Sequence, residues 1–331
     1  MSATTNFSQN LNLWGVLSVS KRIINAHSRH FLALSVVFLI PLSFSLIVYP
    51  TLQNTFFESN SIVSKPSLFI SLSYTDAQPT KTQFLLPLFY ALFVLLLALF
   101  AVATITYSTF HGFYGRPVKL VSSFKSTLYS FLPLLSTFIV SQILLASFGG
   151  LLAFVLALIY RSLGLDLSSG SKYSVGFLFL AGIIVGLFVI TMQLSWTLGF
   201  VVAVVESKWG YEPLRRSSYL LRGMNGVALS MLLLYGSAIG LLAWGCSTSV
   251  ANAGHASGLM SWAFVLQTVV SSGFITLLML HNVAANVVLY MYCKALHGEL
   301  AFEIAEEFAC EYVSLPFDYE KVPHVVSIVQ V

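Results

Sequence analysis

Few residues in this chain can do chemistry, and the most suggestive group is His281 with Asn282 and Asn286. His281 is the one acid, base or imidazole inside a long apolar run. Asn282 and Asn286 lie one helical turn apart and share a face, with His281 rotated by about 100° from Asn282. Carrying charge or a proton across a bilayer requires an ionisable group within it, so an imidazole with two amides is a candidate polar pathway. The alternative is that the amides hydrogen-bond between helices, each worth about 0.6–2 kcal/mol. Gln142, Gln193 and Gln267 are the other large polar groups in apolar runs. His27 and His30 are three apart, but no Cys, Asp or Glu stands near to complete a metal site, so they read as exposed interfacial side chains. Of the 12 carboxylates, seven follow residue 298, which leaves too few elsewhere for paired acid–base work. The spacings of zinc hydrolases, phosphate loops, dithiol redox centres and nucleophile elbows do not occur. The chain therefore reads as non-enzymatic, with no catalytic residue, metal ligand or cofactor. Of the three cysteines, Cys246 stands alone near one membrane face. Cys293 ends the last apolar run, as a buried small apolar side chain or a palmitoylation site.

The elements that would position these groups follow from composition. The chain is 57% hydrophobic and 8% charged, with a mean hydropathy of +0.86. A water-facing surface needs roughly 25% charged residues. A soluble enzyme, a disordered chain and a nucleic-acid binder with a basic face are all excluded. Runs of roughly 20 apolar residues, enough for a hydrocarbon core about 30 Å thick, occur at 31–50, 84–108, 131–160, 175–205, 226–246 and 262–292. None contains Asp, Glu, Lys or Arg. The fold predicted is all-α, an integral membrane six-helix bundle. The third, fourth and sixth runs exceed the minimum, which implies tilt or extension into the interface.

Orientation follows from the connecting segments. Residues 1–30, the second loop, the fourth loop and the C-terminal tail together carry 12 of the 16 basic residues. The positive-inside rule puts that side, with both termini, in the cytoplasm. This divides the chain into a cytoplasmic N-terminal amphipathic segment (1–30), a six-span transmembrane domain (31–292) and an acidic cytoplasmic tail (293–331). No cleavable signal is expected, because the first apolar run is a full span behind 30 more polar residues.

A cytoplasmic segment with amphipathic spacing precedes each outward-going span. Leu13, Leu17 and Ile24 share a face in the first. Val121, Phe124, Leu128 and Phe131 recur in the second, near Arg116, Lys119 and Lys125. In the third, Tyr211, Leu214 and Leu221 are surrounded by Arg215, Arg216 and Arg222. Such helices lie in the headgroup region with basic residues toward anionic lipid, so these six cations are the lipid-headgroup candidates. The chain reads as three copies of one helix-hairpin unit: interfacial helix, span out, loop, span back. The tail begins with Glu299, Glu303, Glu307 and Glu311 on one face. A bridge from Glu299 or Glu303 to an arginine of the fourth loop is one reading of that row, and a solvated face is the other. Glu206, at the end of the fourth span, is placed to pair with one of the same arginines.

The fourth loop carries the most distinctive pattern: Glu206, Gly210, Pro213, Leu214, Arg216, Ser217, Leu220 and Gly223. It resembles the motif Glu-x-x-x-Gly-x-x-Ala-Leu-x-Arg-Ser-x-x-Leu-x-x-Gly of the helical membrane domain found beside some glycerophosphodiester phosphodiesterases. Pro213 replaces the usual Ala and suits the first turn of a helix. The run 31–44, the loop 107–119, and the segment Tyr290 to Glu299 with Cys293, Lys294 and His297 are similar to plant six-span membrane proteins of unassigned function. So is the stretch 311–315 of the tail. The resemblance implies topology and an association with lipid. The phosphodiesterase activity of the bacterial relatives resides in a separate soluble domain and is not transferred to these residues. The function expected is a non-enzymatic protein of the endomembrane system or plasma membrane. It would organise lipid, anionic at the cytoplasmic leaflet, or scaffold partner proteins, with no nucleic-acid partner. The alternative is a transporter or channel for a small neutral or amphipathic solute through the His281 cluster.

Overall fold

The structure, a computed structural model, describes residues 12–49, 81–116, 120–164, 172–257 and 262–301. All regular structure among them is helical. In chain order, α1 is Leu13–Ala26, α2 Ser28–Tyr49, α3 Lys81–Phe113, α4 Leu120–Ser162 and α5 Lys172–Trp196. Then follow α6 Gly199–Val205, α7 Glu212–Leu220, α8 Asn225–Ser257 and α9 Trp262–Leu296. Six stretches are long and apolar enough to cross a membrane: 28–49, 87–113, 120–162, 173–205, 225–246 and 265–296. They coincide with the six apolar runs, and the chain is an integral multi-pass membrane protein.

α9 is the centre of the bundle. In its most apolar stretch 56% of residues are buried, against 0% in the span formed by α5 and α6. Ala284, Ala285, Val287 and Val288 are fully buried, and this small-residue surface packs with α1, α2, α3 and α8. α5 is apolar all round and leaves Phe179, Leu180 and Leu187 exposed, as lipid-facing side chains must be. The α3–α4 contact is built differently. Ser123, Thr127, Ser130, Leu134, Thr137 and Ser141 recur in alternating steps of four and three and are all buried. That is the spacing of a coiled-coil seam. Most of these side chains are small, so the backbones can approach closely, as in other membrane helix pairs. Ser123 Oγ meets Ser108 Oγ of α3 at 3.2 Å.

Two spans are broken, each for an identifiable reason. α2 contains a π-helical turn, Ser35–Leu39, separated from Pro41 only by Ile40. Proline has no N–H and crowds the carbonyl four residues back. Widening the turn by one residue lets the Ile40 N–H reach the Ser35 carbonyl instead. The fourth span breaks between α5 and α6 without any proline. There the Leu198 N–H donates to Ser217 Oγ at 3.1 Å, and the Ser217 hydroxyl donates to the Ser195 carbonyl at 2.8 Å. A side chain from another helix has entered the hydrogen-bond ladder, a recognised cause of kinks.

Three sequence expectations change. The segment around Val121, Phe124 and Leu128 is not a separate helix but the first turns of α4; Val121 and Leu128 point outward, while Phe124 is partly exposed and meets the Phe38 ring of α2 at 5.5 Å. The inward face there is the hydroxyl seam. Of the three interfacial segments, only α1 and α7 are helices separate from the span that follows. In α1 the buried face is Val16, Ser20, Ile23 and Ile24, packed on α9 and α3, with Leu13 and Leu17 at its edge. Finally, His27 and His30 are half-buried, not exposed. His30 Nε2 lies 2.9 Å from Ser108 Oγ, tying α2 to α3.

Candidate functional site

The segment from Glu206 to Gly223 lies at the end of the bundle that carries most of the basic residues. It joins α6 to α8 through two tight turns and α7. Ser207 (φ 52°) and Gly210 (φ 64°) both occupy the left-handed region, which reverses the chain within five residues. Glycine adopts that conformation without strain, and serine does so only when its surroundings fix it. The Gly210 N–H donates to Ser136 Oγ of α4 at 3.1 Å. Pro213 then sits in the first turn of α7, where its missing N–H costs nothing. α7 buries Pro213, Leu214, Ser217 and Leu220. Leu214 packs on Gly199, where even a Cβ would approach the leucine side chain to 3.0 Å. Gly223 has φ 100°, and a Cβ there would come within 3.1 Å of Leu296 in α9. Each residue of the motif thus has a mechanical reason: turn, close approach, or the stitch through the α5–α6 break.

Glu206 and Arg216 supply the electrostatics. Glu206 accepts from Lys208 Nζ at 2.9 Å, Arg216 Nε at 3.3 Å and the Tyr290 hydroxyl of α9 at 2.9 Å. Arg216 also donates through Nη2 to Glu299, just beyond α9. One guanidinium therefore clamps α7 to the end of α6 and to the start of the tail, using the planar fork that lysine lacks. Burial alone would raise the Glu206 carboxyl. The Lys208 hydrogen bond, the Arg216 charge and the Tyr290 hydroxyl outweigh it, and the net direction is down. Arg216 moves up. Burial opposes its charge, but Glu299 and Glu206 favour it more.

The remaining predicted residues fall in several places. Arg215 and Arg222 are exposed, and Arg222 lies 6.0 Å from the Tyr219 ring centroid. Arg116 and Lys125 are exposed at the same end, whereas Lys119 lies outside the described residues, as do Glu303, Glu307 and Glu311. Cys293 is fully buried, its Sγ 3.8 Å from the Met224 sulfur. Lys294 is buried, 5.7 Å from the Tyr290 ring centroid. His297 bonds the Cys293 carbonyl at 2.8 Å and packs on Tyr219. Asn286 Nδ2 donates to Asn282 Oδ1 at 3.3 Å, while His281 Nδ1 lies 2.8 Å from the Leu277 carbonyl of its own helix. The two asparagines come together and His281 does not join them.

Sequence reasoning did not find Lys208, Tyr290, Ser136 or Ser195 as partners. Nothing in the spacing of Tyr290 announces a carboxylate from another span. Two cavities accompany this framework. One, of about 460 Å³, opens between the end of α3, the start of α4 and the turn after α6. The other, of about 510 Å³, is an apolar groove between α2 and α9. Neither is lined by His281, Asn282 or Asn286.

Residues 1–316 match a protein family described as a domain of unknown function (DUF8558), and the chain belongs to that family. No curated protein and no solved structure matches it.

Proposed function

We propose that this family member is a non-enzymatic protein of the endomembrane system or plasma membrane that gathers anionic lipid at its basic end, which faces the cytoplasm. The observation that carries the reading is the division of labour among the fourth-loop arginines. Arg216 is committed to two carboxylates, while Arg215 and Arg222 stand exposed beside it. Lys21, Arg22 and Arg29 are exposed as well. A basic surface at the end of a membrane bundle attracts anionic headgroups by about 1 kcal/mol per cation. The clamp through Arg216 would hold that surface in one shape. A transporter reading has less support, because His281 bonds the backbone of its own helix, the two asparagines bond each other, and none of the three lines either described cavity.

The test is lipid retention on purification from mixed vesicles of phosphatidylcholine and phosphatidylserine. Arg215→Gln/Arg222→Gln, with Arg216 intact, should lower co-purifying phosphatidylserine several-fold without unfolding the protein. Unchanged retention would reduce these charges to topology signals. Protease protection of terminal tags in sealed vesicles tests the orientation, and a protected tag would refute it.

A further inference from the structure

The cavity of about 460 Å³ at the basic end is not an extension of the arginine surface. α3 contributes Tyr107 and His111, α4 contributes Ser122, Lys125 and Ser126, and the turn after α6 contributes Ser207. Among the described residues no carboxylate lines it. Among the described residues Lys125 is in none of the ion pairs that Lys208 and Arg216 make. His111 Nδ1 lies 3.0 Å from the Tyr107 carbonyl and must donate to it, so Nε2 of a neutral ring is an acceptor. Ser207, at φ 52°, is held in the left-handed region that a serine adopts only when its surroundings fix it.

The depth of the cavity identifies the phase it meets. α4 has 43 residues, about 65 Å at 1.5 Å per residue. That is twice a hydrocarbon core of about 30 Å. Its first turns, with Ser122, Lys125 and Ser126, project beyond the core into the headgroup layer. Tyr129, exposed one turn further on, marks the boundary where tyrosine is favoured. In the orientation proposed above, the cavity opens at the level of lipid phosphates.

We propose that this cavity binds the headgroup of an anionic phospholipid whose phosphodiester is esterified to a polyol, namely phosphatidylinositol or phosphatidylglycerol. This rests on the lipid-gathering reading and narrows it to one class. Among the described lining residues a single lysine matches the single charge of a phosphodiester, whereas headgroups with several phosphates call for several cations. Ser122, Ser126, Ser207 and Tyr107 each donate and accept, as a sugar-like headgroup requires, and His111 adds a ring nitrogen. Among the described lining residues a headgroup ammonium would meet no carboxylate and would face Lys125, which disfavours phosphatidylserine, phosphatidylethanolamine and phosphatidylcholine.

The experiment uses the full chain in phosphatidylcholine nanodiscs doped in turn with phosphatidylinositol, phosphatidylglycerol or phosphatidylserine, with bound lipid read by native mass spectrometry. Phosphatidylinositol and phosphatidylglycerol should be enriched over phosphatidylserine at equal charge. Lys125→Gln should lower that enrichment about fivefold, the value of one basic contact. Ser126→Leu should lower it with the charge retained, and Lys125→Arg should keep most of it. Arg215→Gln/Arg222→Gln should reduce all three anionic lipids alike. Equal retention of the three lipids by the wild type, or enrichment untouched by both Lys125→Gln and Ser126→Leu, overturns the headgroup assignment and leaves general lipid gathering intact. Loss of every anionic lipid from the wild type overturns the wider reading instead. Binding of free inositol phosphate without enrichment of either polyol lipid would make the occupant a solute and refute the lipid source.

Discussion

Replacing Arg216 with Ala removes the one cation shared by Glu206 and Glu299. Glu206 keeps Lys208 and Tyr290, each at 2.9 Å, so its carboxylate is not orphaned. Glu299 loses the partner that holds the start of the tail. The side chains of Arg216, Glu206 and Glu299 are 21%, 14% and 30% exposed. That places the cluster between surface pairs, worth about 0.2–1 kcal/mol, and buried pairs, whose breaking costs about 3–5 kcal/mol. The expected loss is about 2 kcal/mol, a shift of roughly 30-fold in the docking equilibrium of the α7–tail contact. Two assays read it: thermal unfolding of the purified protein, and limited proteolysis just after residue 300. A double-mutant cycle of Arg216→Ala with Glu299→Ala should give a coupling of about 1 kcal/mol. Arg216→Lys should recover only part, since one ammonium cannot reproduce the fork. A coupling below about 0.3 kcal/mol, with Arg216→Ala no more damaging than Arg215→Ala, would show that the clamp holds nothing.

Other predictions test the same framework. Because the Glu206 carboxyl is held below its ordinary range, its contribution is fully present above the free-glutamate value of about 4.3 and is lost only as pH falls through the lower folded value. The stability contributed by Glu206, read as the difference in thermal unfolding between wild type and Glu206→Gln, should therefore hold through mild acid, and its loss between neutrality and pH of about 5 would contradict the assignment. Ser217→Ala strips a buried partner from both the Leu198 N–H and the Ser195 carbonyl, and should cost about 1–3 kcal/mol; thermal unfolding within error of wild type would count against the stitch. Asn286→Leu breaks one partly buried amide bond and should cost about 0.6–2 kcal/mol or less while leaving lipid binding intact. A folded, correctly located Asn286→Leu protein that fails to complement a null mutant would favour the pathway reading instead.

The spans were legible because their signal is additive: about 20 apolar residues in a row cannot hide. The helix interiors were less legible. Ser123, Thr127, Ser130, Thr137 and Ser141 look like ordinary polar dilution of an apolar run, and only together with Leu134 do they fall into the alternating steps of four and three that reveal a packing seam. The outward face of the same turns carries Val121 and Leu128. In a bilayer an apolar face can meet lipid and a face of small hydroxyls can meet another helix, so hydrophobicity alone does not identify the packed side. The α5–α6 break was illegible for a different reason. Its cause is Ser217, 19 residues further on, and no local residue announces it.

Which fourth-loop arginine pairs inward was, by contrast, readable from helix geometry. Pro213, Leu214, Ser217 and Leu220 define the buried face of α7. At about 100° per residue, Arg216 falls roughly 90° from the centre of that face and Arg215 about 170° from it. A side chain at the flank of a buried face can reach back into the bundle, and one opposite to it cannot. Arg216 accordingly meets Glu206 and Glu299 while Arg215 stays exposed. The neighbours therefore do separate work although they differ by one position, and exchanging Arg215 for Gln cannot imitate the loss of Arg216. If lipid gathering depends on the outward charge and tail docking on the inward one, Arg215→Gln should change lipid retention but not proteolysis, and Arg216→Ala should change proteolysis first. A common effect of both substitutions on both measurements would mean that the loop acts as one undivided patch of charge, and the division drawn from helix geometry would be wrong.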